Sequence, residues 1–251
     1  MTGLQTRPKT MQRLRSEIVP ASAIDEPFAR ELFAIFAQHY RRVTFAQFFA
    51  DLREKDTVIL LRDAQTQTPR GFSTQVVSHL THHGEPLRVL FSGDTIIDRA
   101  HWGEQELVRA WCRFAGQTLA AEPTRLFWFL ISKGYRTYLY LPIFFREFFP
   151  HFATPTPEFA QTLMHALGAE KFGAHYDPAR GVASFPDSRG HLDPALADIP
   201  AARLADPDTA FFLGKNPGHA RGDELLCLAE ISEENMRGLA KRTLLAGAHD
   251  R

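Results

Sequence analysis

The stretch Val89-Leu90-Phe91-Ser92-Gly93-Asp94-Thr95-Ile96-Ile97-Asp98-Arg99-Ala100-His101-Trp102-Gly103 decides the fold. An apolar run enters a short polar segment, returns to Ile96 and Ile97, and breaks at Arg99 to Gly103. An amphipathic helix follows, with Leu107, Trp111, Phe114, Ala115 and Leu119 on one side. Next come a second apolar run, Leu126 to Ile131, and an aromatic segment with Tyr135, Tyr138 and Tyr140. The order is strand, turn, helix, strand, helix. A helix that starts after such a turn presents free N–H groups and a positive dipole end, which suits a pyrophosphate. Gly103 permits close backbone approach at that turn.

Working outward, Ser16 to Val19 reads as a first strand and Pro20 to Tyr40 as a loop and helix. Phe28, Leu32, Ile35, Phe36 and Tyr40 recur at helical spacing. Thr44 and Gln47 predict a capping box for a second helix. Val58 to Leu61, Gly71 to Leu80 and Leu87 to Ile97 read as a three-stranded meander with polar turns between. Leu126 to Ile131 shows no polar alternation, so it is a buried strand. Tyr135 to Phe149 reads as a helix bent or started at Pro142. Beyond Thr154-Pro155-Thr156-Pro157, the best internal boundary, Thr156 is the expected cap of a further helix. Gly181 to Phe185, Ala210 to Leu213 and Leu225 to Ile231 read as late strands, and Ser232 as the cap of a closing helix. The divisions are a tail over 1–15, a core over 16–151 and a C-terminal extension over 152–251.

The chain has 251 residues, 44% hydrophobic and 23% charged, with a net charge of zero. That fits one large globular domain and gives no sign of a nucleic-acid or anionic-membrane partner. The 21 phenylalanines point to a core of aromatic packing. Cys112 and Cys227 form no motif and read as reduced, buried thiols of a cytoplasmic protein. The longest wholly apolar run is far short of the ~20 residues of a membrane span. Arg7, Lys9, Arg13 and Arg15 precede no apolar segment, so the N-terminus reads as a tail and not a signal peptide.

The chain contains no GxSxG, HExxH, paired CxxC or P-loop, so hydrolase, zinc-protease and NTPase readings lack support. Asp94, Thr95 and Asp98 sit at a strand end, where a carboxylate serves as a general base or caps a turn. Gly93 is a bulge candidate. A buried phenol, from Tyr135, Tyr138 or Tyr140, serves as a general acid or as core. Lys133 and Arg136 hold an anion or sit in solvent. His79, His82 and His83 have metal-like spacing without an acidic partner in sequence, so no metal is expected. Asn216 to Glu224 is a glycine-containing polar loop, functional through His219 and Asp223 or a plain connection.

The order of elements resembles the GCN5-related N-acetyltransferase (GNAT) superfamily, over roughly 16–150 plus the late strands. In that family the fourth strand and the following helix bind acyl-CoA through a Gln/Arg-x-x-Gly-x-Gly/Ala turn. The matching place here is Arg99-Ala100-His101-Trp102-Gly103-Glu104, which keeps an Arg and one Gly, one residue further apart. The family's later Asn-x-x-Ala-x-x-x-Tyr-x-x-x-Gly-Phe pattern sets Tyr140 at the tyrosine and Phe145 at the phenylalanine.

The resemblance implies a mixed α/β, mostly antiparallel GNAT-like sheet flanked by helices, with a C-terminal elaboration. It implies transfer of an acyl group from acetyl-CoA or another acyl-CoA to a small-molecule or peptide amine. Tyr140, with Tyr138 as rival, would be the acid and Asp94 the base. The N–H groups near Ile96 and Ile97 would polarise the thioester, and Arg99, Trp102, Gly103, Glu104 and Gln105 would hold the cofactor. Two alternatives stand beside this: a non-catalytic ligand- or partner-binding relative, and an acyltransferase using an acyl carrier protein as donor. A homodimer is a further partner expectation.

Overall fold

The computed structural model of the chain describes residues 14–249. Strand β1 (Leu14–Pro20) leads to helix α1 (Glu26–Phe36), the two-residue strand β2 (Tyr40–Arg41) and helix α2 (Phe45–Arg53). Asp25 caps α1 by accepting from the Phe28 amide at 2.9 Å, and Thr44 caps α2 through the Gln47 amide at 3.3 Å. The meander follows as β3 (Thr57–Asp63), β4 (Pro69–His82) and β5 (Glu85–Ile97). Helix α3 (Glu106–Ala121) crosses to β6 (Arg125–Ser132), and the short helices α4 (Tyr135–Tyr138) and α5 (Tyr140–Phe144) come next. The remainder holds α6 (Glu158–Phe172), β7 (Tyr176–Asp177), β8 (Val182–Ala183), β9 (His191–Leu192), α7 (Pro194–Ala197), α8 (Pro207–Lys215), β10 (Glu224–Glu230) and α9 (Gly238–His249).

Eight strands form one sheet in the order β1-β3-β4-β5-β6-β10-β8-β7, and β2 pairs with β9 apart from it. Among the described residues every ladder is antiparallel except β5–β6. A parallel pair needs a long crossover, and α3 supplies it. The expected mixed, mostly antiparallel α/β class is what the chain adopts.

Both faces of the sheet are covered, which explains the unbroken apolar strands. Ile59, Leu61, Leu126, Trp128 and Leu130 pack with Leu107 and Trp111 of α3 and Leu244 of α9. Their strand neighbours point the other way. Val58, Leu60 and Phe72 meet α1 and α2, and Phe127 and Phe129 meet Leu163 and Leu167 of α6. Arg88 is buried, and its guanidinium donates to the carbonyls of Leu119, Glu122 and Thr124, closing the end of α3.

Several expectations need correction. Ala210 to Leu213 is helical, because Asp206 accepts from the Thr209 amide and Pro207 opens a first turn around the same apolar run. Tyr135 to Phe149 is two short helices followed by extended chain, with Phe149 bridged to Leu228. Helix α6 starts after Pro157 without a Thr156 cap. The closing helix begins at Gly238, since Met236 bridges to Phe145 instead. Of the tail over 1–15, residues 1–13 lie outside the description, while Leu14 and Arg15 belong to β1. The C-terminal extension, expected to contribute late strands and a closing helix, sets β10 beside β6 and α9 on α3.

Candidate functional site

The site begins where the parallel pair parts. β5 and β6 are in register from Leu87↔Arg125 to Ser92↔Leu130. Beyond that, β6 continues with β10 while β5 runs on to Ile97 bonded to β4 alone. Register passes from Gln75↔Ser92 to Ser73↔Thr95, so Gly93 and Asp94 together oppose the single Thr74. That is a β-bulge on β5, and it turns the strand away from β6. Gly93 is required by contact: a Cβ there would lie 2.5 Å from Thr74 Oγ1 and 3.1 Å from Lys55 Cε.

The parted strands open onto a cavity of about 510 Å³. Thr95, Ile96 and Ile97 of β5 form one wall and Trp102, Gly103, Glu104, Gln105 and Val108 the next. Gly134, Arg136, Thr137, Tyr140, Ile143 and Phe144 face them, and His39, Tyr40, Leu192, Leu196, Leu239 and Ala240 complete the lining. Seven of the residues proposed from sequence therefore converge here: Ile96, Ile97, Trp102, Gly103, Glu104, Gln105 and Tyr140.

Asp94, Arg99 and Tyr138 do not line the cavity. Tyr138 is fully buried among Phe148, Phe211 and Phe212, and its hydroxyl donates to the Pro150 carbonyl at 2.9 Å. Burial raises its pKa, so this phenol is a core group. Arg99 is exposed, 3.8 Å from Asp193, which also binds Arg41. Asp94 faces a charged cluster beside the cavity. Burial, then the Asp51 charge, raises its carboxyl to about 6, against the pull of Lys133 and Lys55. Lys133 pairs with Glu224 at 2.8 Å, and although burial works against its charge, Glu224 holds its pKa up. Tyr40 joins the two regions: it lines the cavity, and the Lys133 ammonium lies 5.7 Å from its ring centroid. Burial lifts the Tyr40 phenol to about 12.

Tyr140 is half-buried, and its hydroxyl has no hydrogen-bond partner among the described residues. Burial raises its pKa, which keeps it protonated near neutrality. The turn before α3 is less open than its sequence implies. The Glu104 amide donates to His101 O at 3.2 Å, and its carboxylate accepts from the Leu14 amide and contacts His101 Nδ1. Gln105 provides no side-chain cap, so the first-turn amides of α3 remain unclaimed by side chains. Gly103 adopts φ of +95°, and a Cβ there would meet nothing within 4 Å. The Trp102 indole donates to Ile97 O at 2.9 Å, and the Arg136 guanidinium lies 5.4 Å over its ring.

Sequence reasoning missed His39, Tyr40, Leu192, Leu196, Leu239 and Ala240. Tyr40 read as the end of an apolar helix stripe, and the four aliphatic residues lie far along the chain with no motif to join them. His79 contacts Glu122 at 3.1 Å, while His82 and His83 stack and share Thr162. Among the described residues no group of three or more His, Cys, Asp or Glu is placed to hold a metal. No described helix is long and apolar enough to cross a membrane. In the 216–224 loop, His219 is buried against the carbonyls of Asn216 and Ala197.

Strand order, the parted parallel pair and the crossover helix define a mixed, mostly antiparallel α/β fold. Among solved structures, the chain is similar to a probable N-acyltransferase of Enterococcus faecalis at 12% identity, covering 53% of this chain and 33% of that one, TM-score 0.38. It is similar to Saccharomyces cerevisiae N-myristoyltransferase with myristoyl-CoA at 10% identity, covering 52% and 31%, TM-score 0.38. A GNAT-family N-acetyltransferase of Escherichia coli in complex with CoA matches at 18% identity, covering 49% and 64%, TM-score 0.32. The matched region spans about a third of the Enterococcus and yeast chains. No protein-family model matches the chain, and no curated protein matches it.

Proposed function

We propose that the chain is an acyltransferase that moves an acyl group from an acyl-CoA thioester to an amine. The observation that carries this reading is the cavity at the β5–β6 parting. It joins an unpaired strand edge, the start of α3 and the Tyr140 phenol in one space. An extended, amide-bearing pantetheine arm would pair with that edge as an added strand does. The unclaimed amides of α3 would face its phosphates. The amine attacks the thioester carbon, the C–N bond forms and the C–S bond breaks. The leaving thiolate takes its proton from Tyr140, whose raised pKa keeps a proton available, and the proton shed by the amine nitrogen returns through solvent to the phenolate.

Titration calorimetry with acetyl-CoA, free CoA and a nonhydrolysable thioether analogue tests this. Micromolar binding is expected, weakened in Gly103→Trp, where the new side chain enters open space at a positive φ. With an amine acceptor in hand, Tyr140→Phe should lower kcat by about 100-fold or more with the thioester Kd unchanged. An unchanged kcat would remove Tyr140 from the chemistry.

A second reading, a non-catalytic binder of an apolar ligand, is favoured by the cavity mouth. Trp102, Ile143 and Leu239 are 45%, 62% and 39% exposed there. The acidic Glu104 and Glu106 flank the start of α3, and Arg136 of the lining already donates to Leu196 O. Heat from a fatty acid with none from CoA would decide for this reading.

A further inference from the structure

We infer that the Thr95 hydroxyl donates to the thioester oxygen of a bound acyl-CoA, a role that rests on the acyl-transfer reading. Thr95 follows the bulge, is half-buried and lines the cavity. Ile97, two residues on, shares its side of β5 and packs with the core under α3. The Thr95 side chain therefore stands on the face of the sheet where α3, α5 and α9 enclose the cavity. The direction of its hydroxyl hydrogen is set by a file of polar side chains on that same face.

The file begins in the core. The indoles of Trp111 and Trp128 both donate to Ser92 Oγ, at 3.0 and 2.9 Å. An indole N–H only donates, so both lone pairs of that oxygen are filled and its own hydrogen has to go elsewhere. Gln75 Oε1 takes it at 2.7 Å. This fixes the Gln75 amide with Nε2 donating to Ser73 Oγ at 2.8 Å. Ser73 is buried, and Thr95 Oγ1 lies 2.7 Å from its oxygen. Were Thr95 the donor of that bond, the Ser73 hydrogen would be buried with no acceptor among the described residues, which folded chains avoid. Ser73 therefore donates, and Thr95 keeps its own hydrogen to give. Among the described residues the acceptor nearest to it is Gly93 O at 3.4 Å, beyond the usual O–H···O range.

The cavity thus receives a hydroxyl donor already turned by its neighbours. The strand edge beside it adds amides. The Asp98 amide donates across to Arg70 O at 2.7 Å, so by alternation the Ile97 and Thr95 amides face away from β4, along the open edge. A ligand oxygen that gains negative charge suits this setting. As the amine nitrogen bonds to the thioester carbon, the carbonyl pair moves onto oxygen. It returns when the C–S bond breaks. Thr95 holds that oxygen and gives up no proton in the step. Because Ser92, Gln75 and Ser73 fix the hydroxyl beforehand, no reorientation is needed as the charge develops. These three are positioning residues.

The test is ¹³C NMR of acetyl-CoA labelled at the thioester carbon and bound to the full chain. Calorimetry of acetyl-CoA and of S-ethyl-CoA, which lacks the oxygen, runs beside it. The bound carbonyl resonance should move downfield of free acetyl-CoA in the parent and in Thr95→Ser. It should move less in Thr95→Val, which keeps the shape and deletes the hydroxyl. The parent should bind acetyl-CoA about 3–10-fold more tightly than S-ethyl-CoA, the worth of one hydrogen bond. Thr95→Val should lose most of that preference while its affinity for S-ethyl-CoA stays at the parent's. A carbonyl shift in Thr95→Val equal to the parent's overturns the role of Thr95 alone. So does equal affinity of the parent for the two ligands, a result that needs no variant to fold. Binding of neither ligand removes the acyl-transfer reading and the Thr95 role together.

Discussion

At the residue scale, Asp94 holds its proton more tightly in the fold than an ordinary aspartate does, at about 6 against 3.8, through burial and then Asp51. The native state therefore gains stability as pH falls from about 6 towards 4, and that gain is lost as pH rises through 6. Asp94→Asn removes the half-buried charge without changing shape. The variant should be more stable than the parent at pH 7.5, and the difference should close by pH 4. Thermal unfolding at the two pH values checks it; a variant no more stable at pH 7.5 would show the carboxylate to be well accommodated. This carboxylate was legible in the sequence as a strand-end acid. Its setting was not, because Lys55, Lys133 and Glu224 come from three distant segments that only the sheet order joins.

At the element scale, the bulge is the device that separates β5 from β6, and it depends on a missing side chain. Gly93→Ala would force a Cβ to within 2.5 Å of Thr74 Oγ1, a buried hydroxyl with no partner among the described residues. The expected cost is about 1–3 kcal/mol, as for other overpacked cores. Thr74→Ala in the same chain should recover part of it, leaving the milder 3.1 Å contact with Lys55 Cε. Additive single effects in a double-mutant cycle of urea denaturation would show that the two positions do not share the constraint. The sequence showed Gly93 as a bulge candidate and both flanking strands correctly, because two-sided burial leaves a compact apolar run of strand length. It misled at Ala210 to Leu213, where four apolar residues suit either state and the capping Asp206 decides.

At the scale of the whole molecule, the last helix sets the shape of the cavity that the first half frames. α9 brings Leu239 and Ala240 to the lining and lies against α3 at near backbone contact. A Cβ on Gly116 would be 2.0 Å from Leu244 O, and one on Gly247 would be 2.3 Å from Arg113 O. These are backbone atoms, so no side-chain rotation relieves the clash. Neither glycine carries a motif in sequence, since their meaning exists only in the pair. Gly116→Ala should therefore lift α9 from α3 while leaving the sheet formed. Amide exchange over 238–249 should quicken, and strands β3 to β6 should stay protected. CoA affinity should fall in the same variant if α9 forms a wall of the binding space. Exchange that rises uniformly across the chain would mean that α9 and the sheet unfold as one unit. Unchanged exchange over 238–249 would mean that the two helices adjust their spacing at little cost.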